Sequence, residues 1–150
     1  MDAVKIEGVK LVALREIADE RGAVLHMMRN DSPGFTTFGE CYFSEVLPGV
    51  VKGWKKHQLQ TQNLAAPVGR IRIVLFDERS QSSTNGIVEV IDIGRPDSYL
   101  RITIPPGIWY AFSCISVEKA LLVNCADIPH QPSESETMSL TESHVPYKWH

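Results

Sequence analysis

At 150 residues the chain suits one domain with its own core, and 43% hydrophobic with 22% charged side chains is the composition of a globular protein. A net charge of −3 and a pI near 5.9 exclude the clustered Lys and Arg excess that nucleic acid or an anionic membrane requires. Three cysteines without CxxC spacing, Cys41, Cys114 and Cys125, predict reduced, buried thiols. No segment reaches transmembrane length and residues 1–7 hold no apolar run, so a cytoplasmic setting is expected.

Residues 9–17 fit a strand or a short helix, because their apolar spacing serves both periods. Turns at 19–22 and 30–34 lead to strand candidates at 23–28 and 40–46. Next, Pro48-Gly49-Val50-Val51-Lys52-Gly53-Trp54-Lys55-Lys56-His57 is a turn running into a short strand. Positions i and i+2 of a strand share a face, so Lys55 and His57 point together. Strands of high β-propensity are expected at 69–77, 87–93, 99–104 and 119–124. Within residues 104–112, a Pro-Pro-Gly turn and a further strand carry one polar side chain with acid–base capacity, Tyr110. Residues 133–136, Ser-Glu-Ser-Glu, read as a polar loop, and Tyr147 and Trp149 as packing for the C-terminus. Turn signals every 8–12 residues or so mark a sandwich or barrel. The expected fold is a single all-β domain closed as a double-sheet jelly roll, with short terminal helices at most.

The order of motifs carries a resemblance. Asp19-x-Arg21-Gly22, Glu40-x-Tyr42-x-Ser44 and Pro48-Gly49-Val50-Val51-Lys52-Gly53-Trp54 are followed by Gly69-Arg70-Ile71, Asp77-x-Arg79 and Ser83-Thr84-x-Gly86. Ile104-Pro105-Pro106-Gly107-Ile108-Trp109 and Val145-Pro146-Tyr147-Lys148-Trp149 close the series. Together these resemble the dTDP-4-dehydrorhamnose 3,5-epimerase family of cupins. The resemblance implies a jelly-roll (double-stranded β-helix) homodimer that holds a nucleotide-diphosphate sugar in the barrel mouth. It also implies a base where Lys55 stands, a second pocket His where Tyr110 stands, and an acid near His130. Family members usually carry His, His and Tyr there, so all three positions differ here.

A 4-keto sugar, the substrate so implied, has acidified C–H bonds on both sides of its carbonyl. Catalysis then needs a base, a donor for the enolate oxygen, and an acid. A lysine serves as base only when burial or neighbouring charge brings it well below about 10.4, whereas histidine titrates near 6.5 without tuning. His57 is therefore the first candidate base and Lys55 the second or the enolate-stabilising cation; Tyr110 or His130 returns the proton. The spacing of 55 and 57 is also similar to the His-x-His pair of cupin ketoisomerases. Arg21, Glu40, Lys52 and Arg72 are candidates for gripping the nucleotide and its diphosphate. Simpler readings stand beside these: His57 as a structural histidine, Tyr110 as core, His130 as a loop residue, and Arg21 with Glu40 as a surface ion pair. His26, His144 and His150 show no role. No metal and no cofactor is expected, because Lys55 occupies the place of a ligating His and no Glu follows between residues 56 and 69. The expected activity is metal-free epimerisation or ketoisomerisation of a nucleotide-linked 4-keto-6-deoxy sugar, in surface polysaccharide or deoxysugar synthesis. The alternative is a non-catalytic cupin that binds a sugar nucleotide or steadies a partner enzyme.

Overall fold

The computed structural model describes residues 4–149; residues 1–3 and His150, included in the readings above, lie outside it. In chain order the strands are β1 (Lys10–Ala13), β2 (Glu16–Asp19), β3 (Gly22–Leu25), β4 (Glu40–Val46), β5 (Val51–His57) and β6 (Gln62–Val68). There follow β7 (Arg70–Asp77), β8 (Val88–Gly94), β9 (Leu100–Ile104), β10 (Ile108–Cys114), β11 (Ala120–Ala126) and β12 (Ser135–Thr137). The ambiguous segment 9–17 resolves into two short strands. Among the described residues the one helical turn is a 3₁₀ turn over Pro132–Glu134.

Two five-stranded antiparallel sheets face each other as a jelly roll, in the orders β1-β9-β6-β11-β4 and β12-β5-β10-β7-β8. Alternation along each strand sends one set of side chains into the space between them. Leu64, Ile102, Ile104 and Leu122 of the first sheet meet Ile71, Ile73, Leu75 and Ile93 of the second, all essentially without solvent access. Each such side chain contributes about 1.5–3 kcal/mol through burial. The opposite face of the second sheet is also covered. Trp54, Val74, Phe76, Trp109 and Ala111 pack there beneath Val145, Tyr147 and Trp149 of the C-terminal segment.

The β2–β3 hairpin pairs only with itself among the described residues, and its facing pair Ile17 and Val24 is exposed. The expectation of buried thiols holds for Cys114, in part for Cys125, and not for Cys41, which is exposed. Cys41 projects from an edge strand on the face turned away from the inter-sheet space, which leaves it open to solvent.

Candidate active site

β5 runs against β10 with Lys55 opposite Tyr110, Gly53 opposite Ala111 and Lys52 opposite Phe112. Trp54 is the extra residue of a β-bulge and turns to the outer face, where only 1% of its surface remains exposed. The bulge breaks simple alternation, so Lys52 joins Lys55 on the inner side. Gly53 permits the crossing: its φ is +138°, and a Cβ there would lie 2.4 Å from the Ala111 Cβ.

The inner side opens into a cavity of about 170 Å³ between the sheets. That is below the roughly 300 Å³ at which pockets enclose a whole drug-sized ligand, and it matches a single ring. Tyr42, Ser44 and Asn124 stand on one wall; Lys52, Lys55 and Tyr110 stand on the other. Among the described residues no carboxylate lines it. Lys52 Nζ donates to Ser44 Oγ at 2.9 Å and to the Glu45 carbonyl at 2.6 Å. The Tyr42 hydroxyl accepts from Asn124 Nδ2 at 3.0 Å, which leaves its own proton for a ligand. Burial raises the Tyr42 phenol, against the lowering effect of that hydrogen bond, so it stays protonated near neutral pH.

Behind Tyr110 lies a buried chain of acid–base groups. The Tyr110 hydroxyl is 3.2 Å from His57 Nε2, and His57 Nδ1 contacts Glu134 Oε1. Glu134 Oε2 accepts the backbone N–H groups of Gln58, Leu59 and Gln60 at 3.1, 3.0 and 3.2 Å. Burial pushes the Glu134 carboxyl up, but the His57 contact and these amides outweigh it and hold it below the usual range. Glu134 is thus ionised and only accepts, which fixes the His57 proton on Nδ1 and leaves Nε2 as an acceptor for Tyr110. His57 itself is held below its ordinary value, chiefly by burial, against the pull of Glu134. Burial, with Tyr42 and Glu134 nearby, drives the Tyr110 phenol far above its usual value. At neutral pH the chain is carboxylate, neutral imidazole, phenol.

The expected face-sharing of Lys55 and His57 holds only in part: Lys55 reaches the cavity, while His57 lies behind Tyr110 at 4% exposure. His130 is exposed in the loop after β11 and off the cavity lining. Of the four candidate nucleotide contacts, only Lys52 borders this chain's cavity. Arg21 sits at the β2–β3 turn, 83% exposed, and pairs with Asp19 at 2.6 Å instead of Glu40. Glu40 opens β4 and accepts a long hydrogen bond from Gln60 Nε2 at 3.4 Å. Arg72 alternates with the inward Ile71 and Ile73, so it points outward and pairs with Asp92 at 2.9 Å. Lys56 also faces outward, 4.9 Å over the Trp109 ring and 3.1 Å from Glu136. His144 has a partner after all, 2.5 Å from Glu78.

Tyr42, which lines the cavity, and Glu134, which contacts His57, are the members of the candidate site that sequence reading missed. Tyr42 was visible as a residue two before Ser44 on an alternating strand. Glu134 left no signal, since its burial comes from a 3₁₀ turn inside an apparently polar loop. Among the described residues no three or more His, Cys, Asp or Glu side chains gather as a metal-ligand set.

A family model described as dTDP-4-dehydrorhamnose 3,5-epimerase matches residues 3–150. The probable low-salt glycan biosynthesis epimerase Agl13 of Haloferax volcanii is 33% identical over 121 residues, spanning 79% of this chain and 77% of that protein. The spore coat polysaccharide biosynthesis protein SpsL of Bacillus subtilis is 27% identical over 131 residues, 87% of this chain and 86% of that one. The crystal structure of a dTDP sugar isomerase from Desulfovibrio desulfuricans superposes with a TM-score of 0.94. It is 48% identical and covers 98% of this chain and 95% of its own.

Proposed function

Since the chain belongs to the dTDP-4-dehydrorhamnose 3,5-epimerase family, we propose that it epimerises a nucleotide-diphosphate 4-keto-6-deoxy sugar by metal-free proton transfer beside the carbonyl. The carrying observation is a cavity lined by two lysines, one wall of which is a phenol backed by a buried imidazole and carboxylate. As a ring C–H bond breaks, the Tyr110 oxygen takes its proton and passes its own to His57 Nε2. The imidazolium so formed rests against Glu134, which stabilises it. The Lys55 ammonium, paired in register beside Tyr110 on the same wall, neutralises the enolate oxygen. Tyr42, on the other wall, donates a proton to the opposite face of the carbon, so that the centre inverts. Lys52, at the mouth, meets the diphosphate.

This reading favours an enzyme of glycan or deoxysugar synthesis over the non-catalytic alternative, because a mere binding pocket has no use for a buried carboxylate–imidazole–phenol chain. The setting we propose is cytoplasmic, and the working unit a twofold homodimer. The exposed Ile17–Val24 pair supports a partner on the hairpin. Arg21, remote from its own chain's cavity, then contacts nucleotide only at a partner's. The test is a panel of nucleotide-linked 4-keto-6-deoxy sugars followed by NMR. Inversion at C3, C5 or both is expected with at least one member. Binding without inversion across the panel would return the protein to the non-catalytic reading.

A further inference from the structure

Cys41 and Cys125 face each other across β4 and β11, directly paired in register, with their sulfurs 3.5 Å apart. Directly opposed residues of antiparallel strands have Cα atoms about 4.5–5.5 Å apart, inside the roughly 4.4–6.8 Å span of disulfides. Both strands carry cavity residues on the reverse face: Tyr42 follows Cys41, Asn124 precedes Cys125, and those two are themselves paired. β4 is the edge strand of its sheet, held on one side only, by β11. A second cavity, of about 380 Å³ and lined in part by Met28, Phe35, Phe38 and Asn63, opens onto both thiols.

We propose that Cys41 and Cys125 form a reversible cross-strand disulfide that fastens the edge strand β4 to β11 behind the Tyr42–Asn124 wall. The oxidant is a low-molecular-weight disulfide such as oxidised glutathione. The exposed Cys41, as thiolate, attacks one glutathione sulfur; that S–S bond breaks and the first glutathione leaves as thiol. Cys125, as thiolate, then attacks the Cys41 sulfur of the mixed disulfide, forms the protein S–S bond and expels the second glutathione. The two protons lost by the cysteines end on the two glutathione thiols, and the protein is oxidised by two electrons while glutathione disulfide is reduced by two. Cys41 is exposed whereas Cys125 is partly buried, and burial pushes the Cys125 thiol up, so Cys41 is the thiol that reacts first. Cys114, 2% exposed and donating to carbonyls of its own loop, takes no part.

The test incubates the folded chain with oxidised glutathione at mildly alkaline pH, then traps remaining thiols and measures the intact mass. The expected product has lost two hydrogens, keeps one alkylatable thiol, and yields a linked peptide pair containing Cys41 and Cys125. Amide hydrogen exchange along β4 slows on oxidation and recovers with dithiothreitol. Cys125→Ser, lacking the second thiol, stops at a stable glutathione adduct on Cys41. Should that variant fail to fold, Cys41→Ser, at an exposed position, gives neither linkage nor adduct. Three alkylatable thiols after oxidation, a persistent glutathione adduct on the wild type, or linkage only between chains would each overturn the proposal.

Discussion

Two tyrosines on opposite walls divide the proposed proton traffic, and that division has a measurable consequence. Tyr110 reaches Glu134 through His57, and in the proposed mechanism it both takes and returns a proton on one face of the sugar. Tyr42 is tied only to Asn124 and supplies the other face. Tyr42→Phe is therefore expected to keep solvent exchange into the ring while losing inversion by about 10²–10⁴. Equal loss of exchange and inversion would instead make Tyr42 part of the base. Acid sensitivity belongs to the same residues. His57 is depressed in the folded state, so below about pH 6.5 the unfolded chain binds its proton more readily and stability falls with pH. Glu134 is likewise depressed, so its contribution is present above the ordinary carboxylate range and lost as pH falls through its folded value. Calorimetry should show the melting temperature declining from about pH 6.5 downward. In His57→Gln only the lower, carboxylate part of that slope should remain. An unchanged slope in the variant would mean that His57 titrates alike in both states.

The bulge of β5 is the element on which the cavity depends, because it brings Lys52 and Lys55 to one side. Gly53 holds a left-handed backbone against Ala111. Gly53→Ala should cost about 1–3 kcal/mol by overpacking, read as a lower midpoint in urea, and Ala111→Gly should recover part of it. A neutral Gly53→Ala would show that the strands can part without loss. Most strands were legible because their β-branched alternation and turn residues agree, as in β4, β7 and β8. β6 was not, since Gln62-Asn63-Leu64-Ala65-Ala66-Pro67-Val68 holds residues of low β-propensity and a proline. Its place between β9 and β11 is set by tertiary pairing. The site was legible to the same degree. Lys55 and Tyr110 could be found from strand patterns, whereas Arg72, a candidate for the nucleotide, lies on the outer face beside Asp92 because facing is decided by sheet packing and not by charge. Glu134 depends on a turn 77 residues from its partner His57, and no local pattern records that.

For the whole molecule, a ligand that binds only the folded state stabilises it by about 2.7 kcal/mol at a hundredfold excess over its dissociation constant. Nucleoside diphosphates of different bases, compared by thermal shift, should therefore rank the nucleotide. Lys52→Ala should abolish the shift in part through a group within the cavity. Arg21→Ala should do so only if a partner's hairpin reaches the site, and should leave the melting temperature of the free protein nearly unchanged because Arg21 is exposed. A dimer by sedimentation together with a weakened shift in Arg21→Ala fits the twofold assembly. A monomer whose nucleotide affinity ignores Arg21 contradicts it.

Solvent deuterium entering the sugar ring tests the central claim most directly, since it reports C–H cleavage beside the ketone and nothing else. With a nucleotide-linked 4-keto-6-deoxy sugar in deuterium oxide, the wild type should exchange a hydrogen at C3 or C5. His57→Asn and Lys55→Met should each lower that exchange by about 10²–10⁴ while nucleotide still binds. Exchange at the wild-type rate in both variants, with binding intact, would contradict the assignment of this cavity as the catalytic centre.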